Sequence, residues 1–422
     1  MKRAGIRFLV AFFFVIAALL AGPASSGAAT GRQMASSAIQ ALDATGSVIW
    51  TMNVPSLYWT FSEVSFNYAI DARGTVIDYP LTVSFLGSNF STPRGIVYLL
   101  PGGGMNFRAS FFTPTDDSLA QYFRNAGYLV IGITPREDRV PTTASPYSCM
   151  KDWGMARHVD DVAEVIACIQ NSALFSGRKF RVLGHSFGGS FALDYLDKYD
   201  SPMLEKVIAL DIYKVSQDEV LDRGSVEIFS DPYSYLGSYA DTSYADLKTL
   251  MFVSLLLPDV PASPALIPGL PGTFTYEGFL YYSLIESSEL EAVELGDWPL
   301  RKGYAAGFYD QNAPGDPRDD AYGMSVTSMC TLRDASLKIG SGVVPYAVYR
   351  DYFAANAPDY YSDVYFLDWN LPAKVLWLNT EFGYGSQLAA YGAAAVIPGL
   401  GHLDVLANKS CVKSACWKYL VQ

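Results

Sequence analysis

Ten residues constrain this chain more than any other stretch: Arg181-Val182-Leu183-Gly184-His185-Ser186-Phe187-Gly188-Gly189-Ser190. An aliphatic run from Phe180 to Leu183 stops at Gly184, and a helix-forming run, Phe191 to Tyr199, follows at once. Between them stands Gly-x-Ser-x-Gly. A strand that turns straight into a helix holds the serine at its apex in a strained backbone conformation. Side chains two residues before or after the apex would collide, which gives Gly184 and Gly188 a steric role. The apex hydroxyl is then pushed out at the carboxyl edge of a sheet. It stands beside a helix amino-terminus, whose partial positive charge favours a developing oxyanion.

The rest of the chain must supply that sheet. Gly95 to Leu100 and Tyr128 to Ile133 are continuous apolar runs, as expected of strands buried on both faces. Thr115-Asp116-Asp117 opens a helix over Ser118 to Ala126. Val162, Val165, Ile166 and Ile169 carry helical spacing within Trp153 to Gln170. Lys206 to Asp211 reads as another strand. Upstream, Phe66 to Ile70 and Leu81 to Phe85 alternate about a turn at Asp71-Ala72-Arg73-Gly74, which predicts an antiparallel hairpin with one buried face. Strands alternating with helices argue an α/β architecture: a mostly parallel central sheet flanked by helices.

That rhythm breaks after residue 212. Residues 213–370 are rich in Tyr, Phe, Pro and Gly, with helix-like pieces at Asp241 to Leu257 and Gly278 to Leu295. They read as a cap insertion over the sheet's carboxyl edge, where ligands bind in such folds. The rhythm resumes with a strand at Ala373 to Asn379, a short strand at Ala393 to Ile397 and a terminal helix at Ser414 to Leu420. The organisation is therefore a leader at 1–29, a first core part at 30–212, the cap at 213–370 and a second core part at 371–422. Residues 30–60 give no firm reading.

The leader is read from Lys2, Arg3 and Arg7, an apolar stretch from Phe8 to Ala21, and Gly27-Ala28-Ala29 before Thr30. This is the pattern of a cleaved secretion signal, too short to span a bilayer, and it places the mature chain outside the cytoplasm, secreted or periplasmic. No later segment reads as a membrane span. With 30 Lys+Arg against 42 Asp+Glu and no basic cluster, nucleic-acid binding is not expected. An exported chain can oxidise its cysteines. Cys411 with Cys416 and Cys149 with Cys330 are the expected pairs, leaving Cys168 unpaired. Three histidines and no zinc-like spacing argue against a metal centre.

A serine hydroxyl needs a base, and imidazole suits it near neutral pH. Of His158, His185 and His402, the first lies on a helix and reads as structural. The second adjoins the serine and is expected to point away. His402 sits in Gly399-Leu400-Gly401-His402-Leu403-Asp404, a loop after the last strand, and is the expected base. The acid that orients it is expected after the resumed strand, at Glu381, with Asp211 and Asp368 as rivals. Pro101-Gly102-Gly103-Gly104, after a central strand, reads as an oxyanion loop. Its donors are the Gly103 amide and that of Phe187.

These residues together resemble the α/β-hydrolase superfamily: the glycine loop at 101–104, Gly184-His185-Ser186-Phe187-Gly188, Glu381, and Gly401-His402. The resemblance covers residues 65–212 and 371–422, with Pro101 standing where many members have His. It implies an eight-stranded, mostly parallel sheet, no cofactor and, most often, ester hydrolysis. The expected activity is a serine esterase or lipase-like hydrolase acting on a small apolar ester. A peptidase with the same triad and a non-catalytic binding protein on this fold are the alternatives.

Overall fold

A computed structural model describes residues 29–45, 47–67, 79–114, 118–212, 219–262, 273–288, 302–312, 315–354, 374–385 and 394–422. Nearly all of the expected leader, the Asp71–Gly74 turn, Thr115–Asp117 and the acid candidate Asp368 lie outside these residues.

The described residues form one nine-stranded sheet. Its strands are β1 (Ser47–Pro55), β2 (Trp59–Asn67), β3 (Leu81–Ser88), β4 (Gly95–Leu100), β5 (Tyr128–Thr134), β6 (Phe180–His185), β7 (Leu204–Leu210), β8 (Val375–Thr380) and β9 (Ala394–Ile397). Their order is β1-β2-β3-β5-β4-β6-β7-β8-β9. The first three strands run antiparallel to their neighbours, and every pairing from β5 to β9 is parallel. The sheet thus has one strand more than the eight implied, because β1 extends the antiparallel edge.

The apolar runs are continuous because both sheet faces are covered. Along β4, Ile96, Tyr98 and Leu100 join the core of one face, and Val97 and Leu99 join that of the other. On the first face pack α1 (Gly31–Thr45), α3 (Met155–Gln170) and α4 (Phe187–Tyr199). On the second pack α2 (Leu119–Asn125), capped by Ser118, and the carboxyl-terminal helical segment through Cys416 and Trp417.

β2 and β3 pair antiparallel as expected, but β2 runs Trp59–Asn67 rather than Phe66 to Ile70, of which 68–70 lie outside the described residues, and both faces are buried rather than one. Helix α1 supplies the first cover, setting Met34, Ala38 and Leu42 against Val64, Phe66, Val83 and Phe85. The opposite face stays partly polar under its cover. Glu63 there accepts the Ser84 hydroxyl at 3.1 Å, and burial pushes its carboxyl up.

Between β7 and β8 the described chain forms α5 (Glu219–Ser230), α6 (Ser243–Leu256), α7 (Tyr276–Ile285), α8 (Met329–Ser336) and α9 (Tyr346–Ala354). Two short antiparallel pairs join them, Ala240–Asp241 with Val344–Pro345 and Gly307–Asp310 with Ala321–Met324. Helix α7 ends at Ile285, before the limit the sequence suggested, and 289–301 lie outside the described residues. Phe229 stacks on Tyr346 at 5.4 Å and on Phe353 at 6.0 Å, so α5 and α9 join the core of the first sheet face. No described helix is long and apolar enough to cross a membrane.

None of the five cysteines forms a disulfide, which corrects both expected pairings. Cys416 is buried at the helix–sheet interface while Cys411 is exposed, so their side chains face different surroundings. Burial pushes the Cys416 thiol up to about 12. A thiol-reactive dye is therefore expected to modify the exposed Cys149, Cys330 and Cys411 in the native protein, and Cys168 and Cys416 only after denaturation. Fewer than five reactive thiols in the denatured, unreduced protein would show a bridge.

Candidate active site

The turn after β6 has the geometry its sequence requires. Ser186 stands at φ 54°, ψ −131°, a conformation costly for a residue with a Cβ, and α4 starts at the next residue. Its N–H bonds the Leu210 carbonyl at 3.0 Å, and its carbonyl accepts Gly189 N–H at 2.8 Å. A Cβ on Gly184 would run into the Gly188 backbone, and one on Gly188 into the carbonyls of Leu100 and Pro101. Gly188→Ala is expected to cost about 3 kcal/mol or more, the scale of an overpacked core site, read as a fall in unfolding midpoint.

The glycine loop after β4 lies against this turn. A Cβ on Gly102 would stand 2.8 Å from Ser186 Cβ, and one on Gly103 2.7 Å from the Phe187 ring. The structure therefore brings Gly103 and Phe187, the expected oxyanion donors, side by side next to the serine. Ser186 itself is partly open to solvent.

His402 arrives from the loop after β9 and is 1% exposed. Its Nδ1 lies 2.6 Å from Asp211 Oδ2. The carboxylate on the imidazole is thus Asp211 and not Glu381. Glu381 follows β8, one strand farther from the elbow, and its carboxylate accepts Gly399 N–H at 2.9 Å. Asp211 follows β7, the strand beside β6, where His185 pairs with Leu210. It takes φ 47°, which swings it out of the strand path. Its Oδ1 accepts Thr380 N–H at 2.6 Å and Tyr384 N–H at 3.3 Å, and the residue is fully buried. Those amides, with the imidazole, satisfy a charge that burial would otherwise penalise.

His185 is not merely turned aside. Its ring lies 4.4 Å from that of His402, and its Nε2–H donates to the His402 carbonyl at 2.9 Å. Burial, then the neighbouring imidazole, holds it well below its ordinary value, so it stays neutral. His158 lies elsewhere, as expected of a structural residue. It meets Glu137 at 3.1 Å and the Gly154 carbonyl at 2.8 Å, and stacks on Phe191 at 4.8 Å. Burial would lower its pKa, but the Glu137 carboxylate outweighs that and raises it.

Sequence reasoning missed the rings around His402. Tyr384 and Tyr304 stand 5.2 Å and 5.7 Å from His402, and Tyr304 lies 6.3 Å from Tyr244 of α6. A side chain on Gly104 would meet the Tyr244 ring. The Phe187 ring stands perpendicular to those of Tyr349 and Tyr352 at 5.1 Å and 5.3 Å. Aromatic rings thus pack against His402 and against Phe187, the residue after Ser186.

The sheet order, the elbow and the fold's overall likeness to known structures agree. A candidate lipase from Sulfolobus solfataricus superposes with a TM-score of 0.57 over 88% of this chain and 98% of that one, at 17% identity. The chain has the α/β-hydrolase fold. Looser likenesses include a thermophilic esterase from Thermogutta terrifontis (13% identity, TM-score 0.42, 88% and 98% covered). Another is a carboxyl esterase from Bacillus coagulans (13%, 0.40, 88% and 97%). No family model and no curated protein sequence matches the chain. In this α/β-hydrolase fold the aromatic rings near His402 and Phe187 come largely from between β7 and β8, the part the sequence resemblance left uncovered.

Proposed function

We propose that the chain is an exported serine hydrolase that cleaves carboxylic esters with apolar acyl or alcohol groups. The observation that carries this reading is the 2.6 Å contact between Asp211 and His402 beside an elbow that strains Ser186. Ser186 Oγ attacks the ester carbonyl while His402 Nε2 takes its proton. Asp211 holds the tautomer and stabilises the imidazolium. The Gly103 and Phe187 amides receive the oxyanion. The tetrahedral intermediate collapses, the alcohol leaves with the proton from His402, and an acyl-Ser186 remains. Water, deprotonated by His402, then releases the acid and restores the hydroxyl.

The apolar preference is supported by Tyr244, Tyr304, Phe187, Tyr349 and Tyr352 around the elbow. Export is supported by the basic and apolar start of the sequence, and the expected test is an amino-terminus at Thr30 in protein collected outside the cytoplasm. A fluorophosphonate probe is expected to label the protein at Ser186, and a panel of esters, amides and lactones to give its highest rates with esters. An unlabelled serine would reject the hydrolase reading, and faster amide turnover would make it a peptidase or amidase.

A further inference from the structure

We infer that Asp404 is a positioning residue that ties the cap to the base loop and so sets where His402 stands. The inference rests on the serine-hydrolase reading of the same site. Asp404 is fully buried and follows His402 by two residues. Its Oδ2 accepts Gly401 N–H at 2.8 Å and Ala306 N–H at 2.6 Å. Its Oδ1 accepts Thr327 N–H at 3.1 Å and the Thr327 hydroxyl at 2.5 Å. Four donors from three chain segments thus converge on one carboxylate, and two of those segments belong to the cap.

The cap segment held this way is the one His402 leans on. His402 N–H bonds the Gly303 carbonyl at 3.3 Å, and Leu403 N–H bonds that of Tyr304 at 2.7 Å. Gly303 N–H in turn bonds the Phe382 carbonyl at 3.1 Å, at the end of β8. A Cβ on Gly401 would stand 2.7 Å from the Ala305 backbone, so the two strips of chain touch directly. Residues 302–306 therefore form a strap across the base loop, and Asp404 fastens it from below.

Burial pushes the Asp404 carboxyl up, against the donors from Thr327, Gly401 and Ala306 that favour its charge. The carboxylate offers acceptor sites to all four donors, whereas an amide of the same shape turns an NH2 toward N–H groups. Losing the fastening shifts the strap and the imidazole with it. Displacements of about 1 Å at a catalytic group cost about a hundredfold in rate.

The test compares wild type, Asp404→Asn, Thr327→Val and Thr327→Ser, each titrated with a fluorophosphonate so that rates are counted per reactive site. For D404N, kcat per titrated site is expected to fall by about tenfold to a hundredfold, with KM little changed. T327V, which lacks the hydroxyl, should lose kcat in the same direction but less, and T327S should keep the wild-type value. Should D404N fail to fold, the T327V and T327S pair decides alone. A loss seen only as fewer titrated sites, with unchanged kcat per site, overturns the inference and leaves Asp404 a stability residue. A rise in KM alone overturns it too. Failure of the wild type to react with the phosphonate would instead reject the underlying hydrolase reading.

Discussion

Ser186→Ala is expected to remove ester turnover by about 10⁴-fold or more, together with all fluorophosphonate labelling at that position. The loss should appear in kcat, because no other hydroxyl can replace one held on a strained turn beside the base. Residual catalysis would come from the oxyanion donors and from substrate binding alone. The fold should survive. Alanine keeps the Cβ that the turn already tolerates, and the 3.0 Å bond from the residue-186 amide to Leu210 does not involve the side chain. An unchanged unfolding midpoint alongside lost activity separates chemistry from collapse. Turnover at the wild-type level would end the assignment.

The second large effect distinguishes two carboxylates. Asp211→Asn is expected to lower kcat by about 10⁴-fold, because an amide at the 2.6 Å contact favours the wrong imidazole tautomer and leaves the imidazolium unneutralised. Glu381→Gln should stay near wild type, since a glutamine carbonyl can still accept Gly399 N–H. The opposite pattern, with E381Q inactive and D211N active, would restore Glu381 as the acid.

That contrast also shows what the sequence could and could not disclose. The elbow was legible because its demands are local. Two glycines, a preceding apolar strand and a following helix are all contiguous, and each has one steric reason. The buried strands were legible for the same cause: Val97 and Leu99 face one core while Tyr98 and Leu100 face the other. His402 could be placed because only three histidines competed and only one followed the last strand. The acid was harder. Both Asp211 and Glu381 end a strand, both lie between the serine and the histidine in sequence, and only strand order tells which is nearer. A signal was nevertheless present, since Asp211 directly follows the strand after the serine-bearing helix.

Helix α1 was missed although Met34, Ala38 and Leu42 carry a period of four, because the segment is short of charged residues that would mark its other side. The aromatic rings near His402 and Phe187 and the Asp404 fastening depend on contacts between residues far apart in sequence, such as Ala306 with Asp404. Local patterning holds no record of those.

The position of β8 and β9 has a bearing on the order of synthesis. Everything from α1 to β7, including the elbow, precedes residues 213–370 in the chain, whereas the strip that carries His402 comes after them. Asp211 receives amides from Thr380 and Tyr384 that do not yet exist when β7 emerges. A growing or truncated polypeptide can therefore form the strained Ser186 turn before the contact between Asp211 and His402 can be made.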